Sequence, residues 1–305
     1  MSVLQLQSVN KKYGNFTAVS DLSLSVPKGV IYGFLGPNGA GKTTTLRMIL
    51  DIVKPSSGEI SILGKSSAME VRNLIGYLPE EKGLYKKMKA WAIIAYFARL
   101  KGVPSKEAKE IAYTLLERYG LKDFTHAKVE TLSKGMGQKV QVLAAIAHSP
   151  EFVILDEPFS GLDPSNQQVM EQVIRDLKEA GSTVIFSTHV MAHAERICDR
   201  ILLIASAKKV FDGTIEEAKS LLPPKVRISG QFELSKILAL PSVSHCESVE
   251  DHFLIQVDPS CTPHKLMTEC SDHNILLDSF EFRQPDLHDV FLHLVGEEAK
   301  TATYR

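Results

Sequence analysis

The chain has 305 residues, 44% of them hydrophobic, enough to bury a large core, and the length suggests two domains. Its 35 Lys and Arg against 36 Asp and Glu give a formal net charge of -1, which excludes a broad electrostatic field for nucleic acid or for an anionic membrane surface. The four cysteines, Cys198, Cys246, Cys261 and Cys270, show no C-x-x-C spacing and no paired framework. No charged segment followed by an apolar one opens the chain, so no secretory leader is expected. The longest apolar run, Trp91 to Ala98, falls far short of the ~18 residues that span a bilayer.

Residues 2–28 carry period-2 stretches, such as Leu22, Leu24 and Val26 alternating with serines, and predict antiparallel strands. An apolar run, Val30 to Leu35, then leads into Gly36-Pro37-Asn38-Gly39-Ala40-Gly41-Lys42-Thr43 and on through Thr44 to Leu50. This strand, glycine loop and helix match the P-loop pattern G-x-x-x-x-G-K-[ST]. Glycines let backbone N–H groups approach a triphosphate, and the helix N-terminus adds a favourable field for anions. Lys42 can reach the β- and γ-phosphates, and the Thr43 hydroxyl can ligate Mg²⁺. Gly36 to Thr44 are therefore the expected nucleotide-binding residues.

Gly58 to Gly64 predicts another short strand. From about residue 86 to 148 the spacing turns helical. Ile93, Ile94, Phe97 and Leu100 form one apolar stripe and Ile111, Leu115, Leu116 and Tyr119 a second, with Ser105 as the expected N-cap between them. This reads as a helical insert in a sheet domain. The apolar runs Phe152–Leu155 and Thr183–Phe186 suit parallel strands buried on both faces. A break at Leu221-Leu222-Pro223-Pro224 separates a domain over 1–222 from a smaller one over 225–305. The second shows strand (225–229), helix (234–240), two strands (243–257), helix (263–273) and strand (275–283), a split βαβ order, then a helix over 286–295. It holds no glycine loop, metal-spaced His/Cys cluster or nucleophile–base pair.

Phe152-Val153-Ile154-Leu155-Asp156-Glu157 is an apolar strand that ends in two carboxylates, placing charge at the edge of the sheet beside the P-loop. Asp156 can hold Mg²⁺ through water while Glu157 polarises the attacking water.

Further motifs stand in order around these. They are Lys11-Lys12-Tyr13-Gly14, Ile75-Gly76-Tyr77-Leu78-Pro79-Glu80, Leu132-Ser133-Lys134-Gly135-Met136, Ser160-Gly161-Leu162-Asp163 and Ser187-Thr188-His189. With them, residues 2–220 resemble the ATPase subunit of an ATP-binding cassette (ABC) transporter. The resemblance implies an α/β P-loop NTPase fold of ABC type, with a mixed central sheet, an antiparallel β subdomain and the helical insert, followed by a smaller α+β domain. It implies that Tyr13 stacks on adenine and that Glu80 stands in the loop entering the helical subdomain. Ser133 and Gly135 belong to the signature, Asp163 to the D-loop, and His189 is the switch histidine. Lys42, Glu157 and His189 then carry catalysis, Thr43, Glu80 and Asp156 attend Mg²⁺, and ATP is the substrate. A Ser at position 133 also suits an N-cap, and the two roles are compatible.

The resemblance further implies head-to-tail pairing, so a chain with one P-loop and one signature needs a second ATPase subunit, a copy or a paralogue. It implies a separate transmembrane permease as partner, a peripheral place on the cytoplasmic face of the membrane, and no nucleic acid partner. Two departures narrow the branch. Glu80 stands where Gln is usual, and Lys134 and Met136 replace Gly and Gln. A carboxylate still reaches Mg²⁺, but its charge beside phosphate is unfavourable by roughly 3 kcal/mol at ~5 Å and an effective ε of ~20 until the metal offsets it. With Tyr77 to Tyr85, Glu157 to Pro164 and the tail Gln284 to Leu292, the chain is similar to the sodium-efflux-type branch of ABC-2 exporters. Lys86, Lys87, Lys89 and Trp91 fall where that family faces the coupling helices of its permease. The alternative is a soluble ABC protein with a regulatory or non-transport role. Against it stand the retained Glu157 and His189, a single cassette and no long coiled coil.

Overall fold

The computed structural model describes residues 2–296 other than 82, 84, 231, 250, 251 and 259. It divides into two compact units at Gly213/Thr214.

The first unit opens with a long hairpin, β1 (Ser2–Tyr13) and β2 (Phe16–Pro27), whose strands pair antiparallel. Alternate residues Leu22, Leu24 and Val26 are buried, as period-2 patterning requires, and the serines between them face solvent. Next come β3 (Ile31–Leu35), the P-loop, α1 (Lys42–Ile49) and β4 (Ser57–Ile62), which pairs with β1 to complete a three-stranded antiparallel sheet. After β5 (Ile75–Leu78) the chain leaves the sheet for α2 (Ala90–Leu100), α3 (Ser105–Arg118) and α4 (Lys134–Ile146). This is the expected helical insert. It returns as β6 (Phe152–Asp156), α5 (Pro164–Glu179), β7 (Thr183–Thr188), α6 (Met191–Ile197), β8 (Arg200–Ala205) and β9 (Lys208–Thr214).

The central sheet runs β5-β6-β7-β3-β8-β9. Its ladders from β5 through β8 are parallel. Between β8 and β9 stand only Ser206 and Ala207, both at positive φ, a two-residue hairpin turn, so β9 runs antiparallel and the sheet is mixed. Every residue of β3, β6 and β7 is buried, because α5 and α6 pack on the sheet while its other face shares a core with α1 and the three-stranded sheet.

The second unit begins with α7 (Ile215–Lys219) and continues as β10 (Lys225–Ser229), α8 (Leu234–Leu238), β11 (Val243–Val249), β12 (His252–Val257), α9 (Pro263–Asp272), β13 (Ser279–Arg283) and α10 (Leu287–Val295). All ladders of its four-stranded sheet, β11-β12-β10-β13, are antiparallel. The boundary expected at 222/225 falls earlier because α7 packs on α10, so it belongs with the second unit. Three local expectations are also corrected. Leu100 is exposed, and Ala98 completes the stripe with Ile93 and Ile94. The N-cap of α3 is Pro104, not Ser105, with no side-chain cap bond. Strand pairing in β13 begins at Ser279 rather than at residue 275.

Candidate nucleotide site

The P-loop joins β3 to α1 through backbone conformations that side chains do not tolerate. Gly41, at φ 107°, caps α1, and a Cβ there would stand 2.4 Å from the Ala18 carbonyl oxygen. A Cβ on Gly36, at φ 153°, would stand 2.1 Å from that of Ile204. The loop therefore runs flat against β2 and β8, and no side chain occupies the cap of α1. Its first-turn N–H groups are left for an anion.

Lys42 is buried in the mouth of this loop. Its ammonium donates to the carbonyls of Gly36 at 2.7 Å and Pro37 at 3.2 Å, and lies 3.7 Å from Glu157 Oε1. Burial pushes its pKa down, and the carboxylates of Glu157 and Asp156 pull it back up. A cavity of about 260 Å³ opens at this point, lined by Phe16, Ala18, Asn38, Gly39, Gly41, Lys42, Thr43, Thr44, Glu80 and Glu157. The P-loop, the Glu80 loop and the acidic end of β6 thus meet around one space.

The acids are wired to β7. Ser187 Oγ donates to Asp156 Oδ1 and accepts from the Glu157 backbone N–H at 2.9 Å. Glu157 sits at φ 49°, a left-handed conformation that turns the chain sharply after Asp156. His189 Nδ1 lies 3.1 Å from both Glu157 carboxylate oxygens. Glu157 is largely buried and the His189 side chain is half exposed. Thr43 Oγ1 donates to Asp156 Oδ1 at 3.3 Å, while Asp156 Oδ2 is buried with no partner among the described residues. Among the described residues no group of three or more His, Cys, Asp or Glu side chains is arranged to hold a metal ion by itself. A set of one hydroxyl and one orphaned carboxylate oxygen fits Mg²⁺, which keeps several waters and takes its remaining ligands from phosphates.

The structure separates the other predicted residues from this cavity. Ser133 caps α4, accepting from Met136 N at 3.2 Å. Asp163 caps α5, accepting from Asn166 N at 2.9 Å and Asn166 Nδ2 at 2.6 Å. Gly135 packs so closely on Asn166 that a Cβ there would stand 2.9 Å from Nδ2. Lys134, exposed, lays its side chain over Gly161. Ser133, Gly135 and Asp163 therefore form one surface that does not line the Lys42 cavity. Tyr13 does not line it either. It is half exposed, with the Lys11 ammonium 4.9 Å from its ring centroid. Phe16, its register partner across the hairpin, supplies the aromatic wall. Phe16 and Ala18 are cavity residues that sequence reasoning passed over, and Ser187, read only as part of the His189 motif, is one whose role it missed. The available signal for Phe16 was its place two residues before Ala18 on the same face of β2. Lys86, Lys87 and Lys89 are exposed, and Trp91 is half buried against Tyr113, 5.9 Å between centroids. No helix among the described residues is long and apolar enough to cross a membrane.

Comparison with known proteins agrees with this architecture. A family model described as ABC transporter matches residues 19–160. YhaQ of Bacillus subtilis (strain 168), named an uncharacterized ABC transporter ATP-binding protein, is 38% identical over 295 residues, 96% of this chain and 99% of the relative. The Nod factor export ATP-binding protein I of Rhizobium meliloti is 34% identical over 305 aligned residues, 97% of this chain and 89% of its own. A solved structure of an ATP binding subunit of an ABC transporter superposes with a TM-score of 0.67 at 29% identity, over 72% of this chain and 93% of that one. The chain belongs to the ABC transporter ATP-binding protein family.

Proposed function

We propose that this chain is the ATP-hydrolysing subunit of an ABC-2-type exporter, that it dimerises on ATP, and that it powers a separate membrane permease. One observation carries the reading. Ser133, Gly135 and Asp163 form a surface outside the Lys42 cavity, so a triphosphate held on one P-loop gains the signature contacts only from another subunit. ATP would then join two subunits and its hydrolysis release them, binding energy shifting a two-state equilibrium. A likeness to a protein named for Nod factor export supports the direction of transport. The permease partner would hold the subunit at the cytoplasmic face of the membrane.

Within the site, Lys42 exchanges its loop carbonyls and Glu157 for the β- and γ-phosphates. Glu157, relieved of that ammonium, polarises the attacking water, and His189 holds its carboxylate in place. Mg²⁺, held by Thr43 and Asp156 with Glu80 facing the same cavity, would supply charge neutralisation at the phosphate oxygens. The test removes hydrolysis and keeps binding. Glu157→Gln with saturating Mg-ATP should elute as a dimer on size exclusion and return to monomer when nucleotide is removed. Persistent monomers at saturating Mg-ATP overturn the reading.

A further inference from the structure

The segments that follow β6 and β7 touch twice, the second time through α6. The first contact is the Glu157 carboxylate against His189 Nδ1. The second lies behind it, where Phe159 and His193 stack with ring centroids 4.3 Å apart and planes inclined by 36°. Phe159 in turn meets Phe186 of β7 edge-on, at 5.6 Å and 76°. Phe159 and His193 are 3% and 6% exposed, so the stack is a fixed part of the interior. A path therefore closes on itself: Glu157, two residues on to Phe159, across the stack to His193, four residues back to His189, and across to Glu157.

The far end of α6 is anchored elsewhere. Arg196 pairs with Glu171 of α5 at 2.8 Å, and its carbonyl accepts from Arg175 at 3.0 Å. At the end of α6 nearest His189, the Phe159 stack acts beside buried Met191 and the bond from Val190 N to Thr188 Oγ1 at 3.1 Å. Histidine is a costly residue at such a place. Its Nδ1 is buried without a partner among the described residues, and an unmade hydrogen bond at a buried nitrogen is unfavourable. Burial, with Arg196 and His189 beside it, pushes the His193 pKa down to about 4, so the ring is neutral near pH 7. A flat, uncharged ring stacks on Phe159 without placing a charge there.

We infer that His193 is a positioning residue for ATP hydrolysis, its stack on Phe159 holding His189 against Glu157. This rests on the ATPase reading above. The experiment compares steady-state Mg-ATP hydrolysis by the full chain and by His193→Ala, His193→Phe and His193→Leu, each checked by thermal melting. His193→Ala should lower kcat about tenfold with KM within about twofold, the pattern of lost orientation rather than lost binding. His193→Phe, which keeps the flat stack, should recover most of kcat, and His193→Leu, which fills the volume without it, should not. In a His189→Ala background, His193→Ala should cause no further loss. Wild-type kcat in folded His193→Ala overturns the inference. Where His193→Ala does not fold, wild-type kcat in His193→Leu overturns it, and so does an equal further loss from His193→Leu in the His189→Ala background. A wild-type chain that hydrolyses no ATP sinks the ATPase reading itself, and the inference falls with it.

Discussion

Phe16 and Tyr13 face each other across one hairpin turn, and only Phe16 lines the nucleotide cavity. The resemblance assigns adenine stacking to Tyr13, and the cavity wall makes Phe16 the closer surface. Base–aromatic stacking is worth about 1–3 kcal/mol per base in single-strand nucleic acid sites, so losing the ring in use should raise the dissociation constant for ATP at least several-fold. Fluorescent-nucleotide titration of Phe16→Ala and Tyr13→Ala should find the larger weakening in Phe16→Ala. The reverse order would return the role to Tyr13. The difference in legibility between the two residues is physical. Gly36 to Thr43 is readable because the loop's geometry demands glycine at fixed spacings, as the close approach of Gly41 to Ala18 and of Gly36 to Ile204 makes plain. Phe16 obeys no such rule. An exposed aromatic at a hairpin end acquires meaning only once β2 lies beside the loop. Ser187 is similar, an ordinary strand residue until register places it opposite Asp156.

Elements were legible where burial on both faces or a helical stripe left a continuous pattern. The runs ending at Leu155 and Phe186 became fully buried parallel strands, and the β-α-β-β-α-β order of the second unit is present element for element. Where the reading overran, the cause lay in a partner. Ile275 and Leu277 are apolar but out of phase with Phe280 and Phe282, and the ladder of β13 stops at Ser279, opposite Ser229, because β10 offers only Lys225 to Ser229 to pair with. The last helix shows the opposite case, an element set by its own residues. Asp286 accepts from Asp289 N at 2.8 Å and Asp289 returns the bond, a reciprocal capping box, while Arg283 pairs with both carboxylates and Lys225 reaches Asp289 at 2.9 Å. Asp286→Ala should destabilise the fold by about 1 kcal/mol, visible as a lower urea midpoint, with Asp286→Asn recovering most of it. An unchanged midpoint would mean that the box is not holding α10.

At the scale of the whole molecule, the boundary between units hid behind punctuation. Pro223-Pro224 is the conspicuous break, yet α7 before it packs with α10 at the far end of the chain, a pairing that no local signal announces. Acid should find the first unit through two histidines. His148 and His193 are both pushed down to about 4, chiefly by burial, with Lys101 adding to the first and Arg196 to the second. Their folded-state pKa values lie below that of an unfolded histidine, so the unfolded chain takes up protons first as the pH falls. Their effect is absent above about pH 6.5, grows as a loss of stability toward pH 4, and levels off below. Thermal melting across that window should show a falling Tm, with a shallower fall in a His148→Gln/His193→Phe variant. Identical slopes would rule the histidines out. The strand order of the central sheet has a consequence of another kind, in the time it takes to make the chain. β3, which leads into the phosphate loop, ends at Leu35, but its two neighbours are β7 and β8, the first of which begins at Thr183. During synthesis a fully apolar strand, its edges bare, waits through the helical insert and β6 before either partner emerges. That interval is when the nascent chain is most prone to pair with the wrong strand, and when a chaperone has the most to protect.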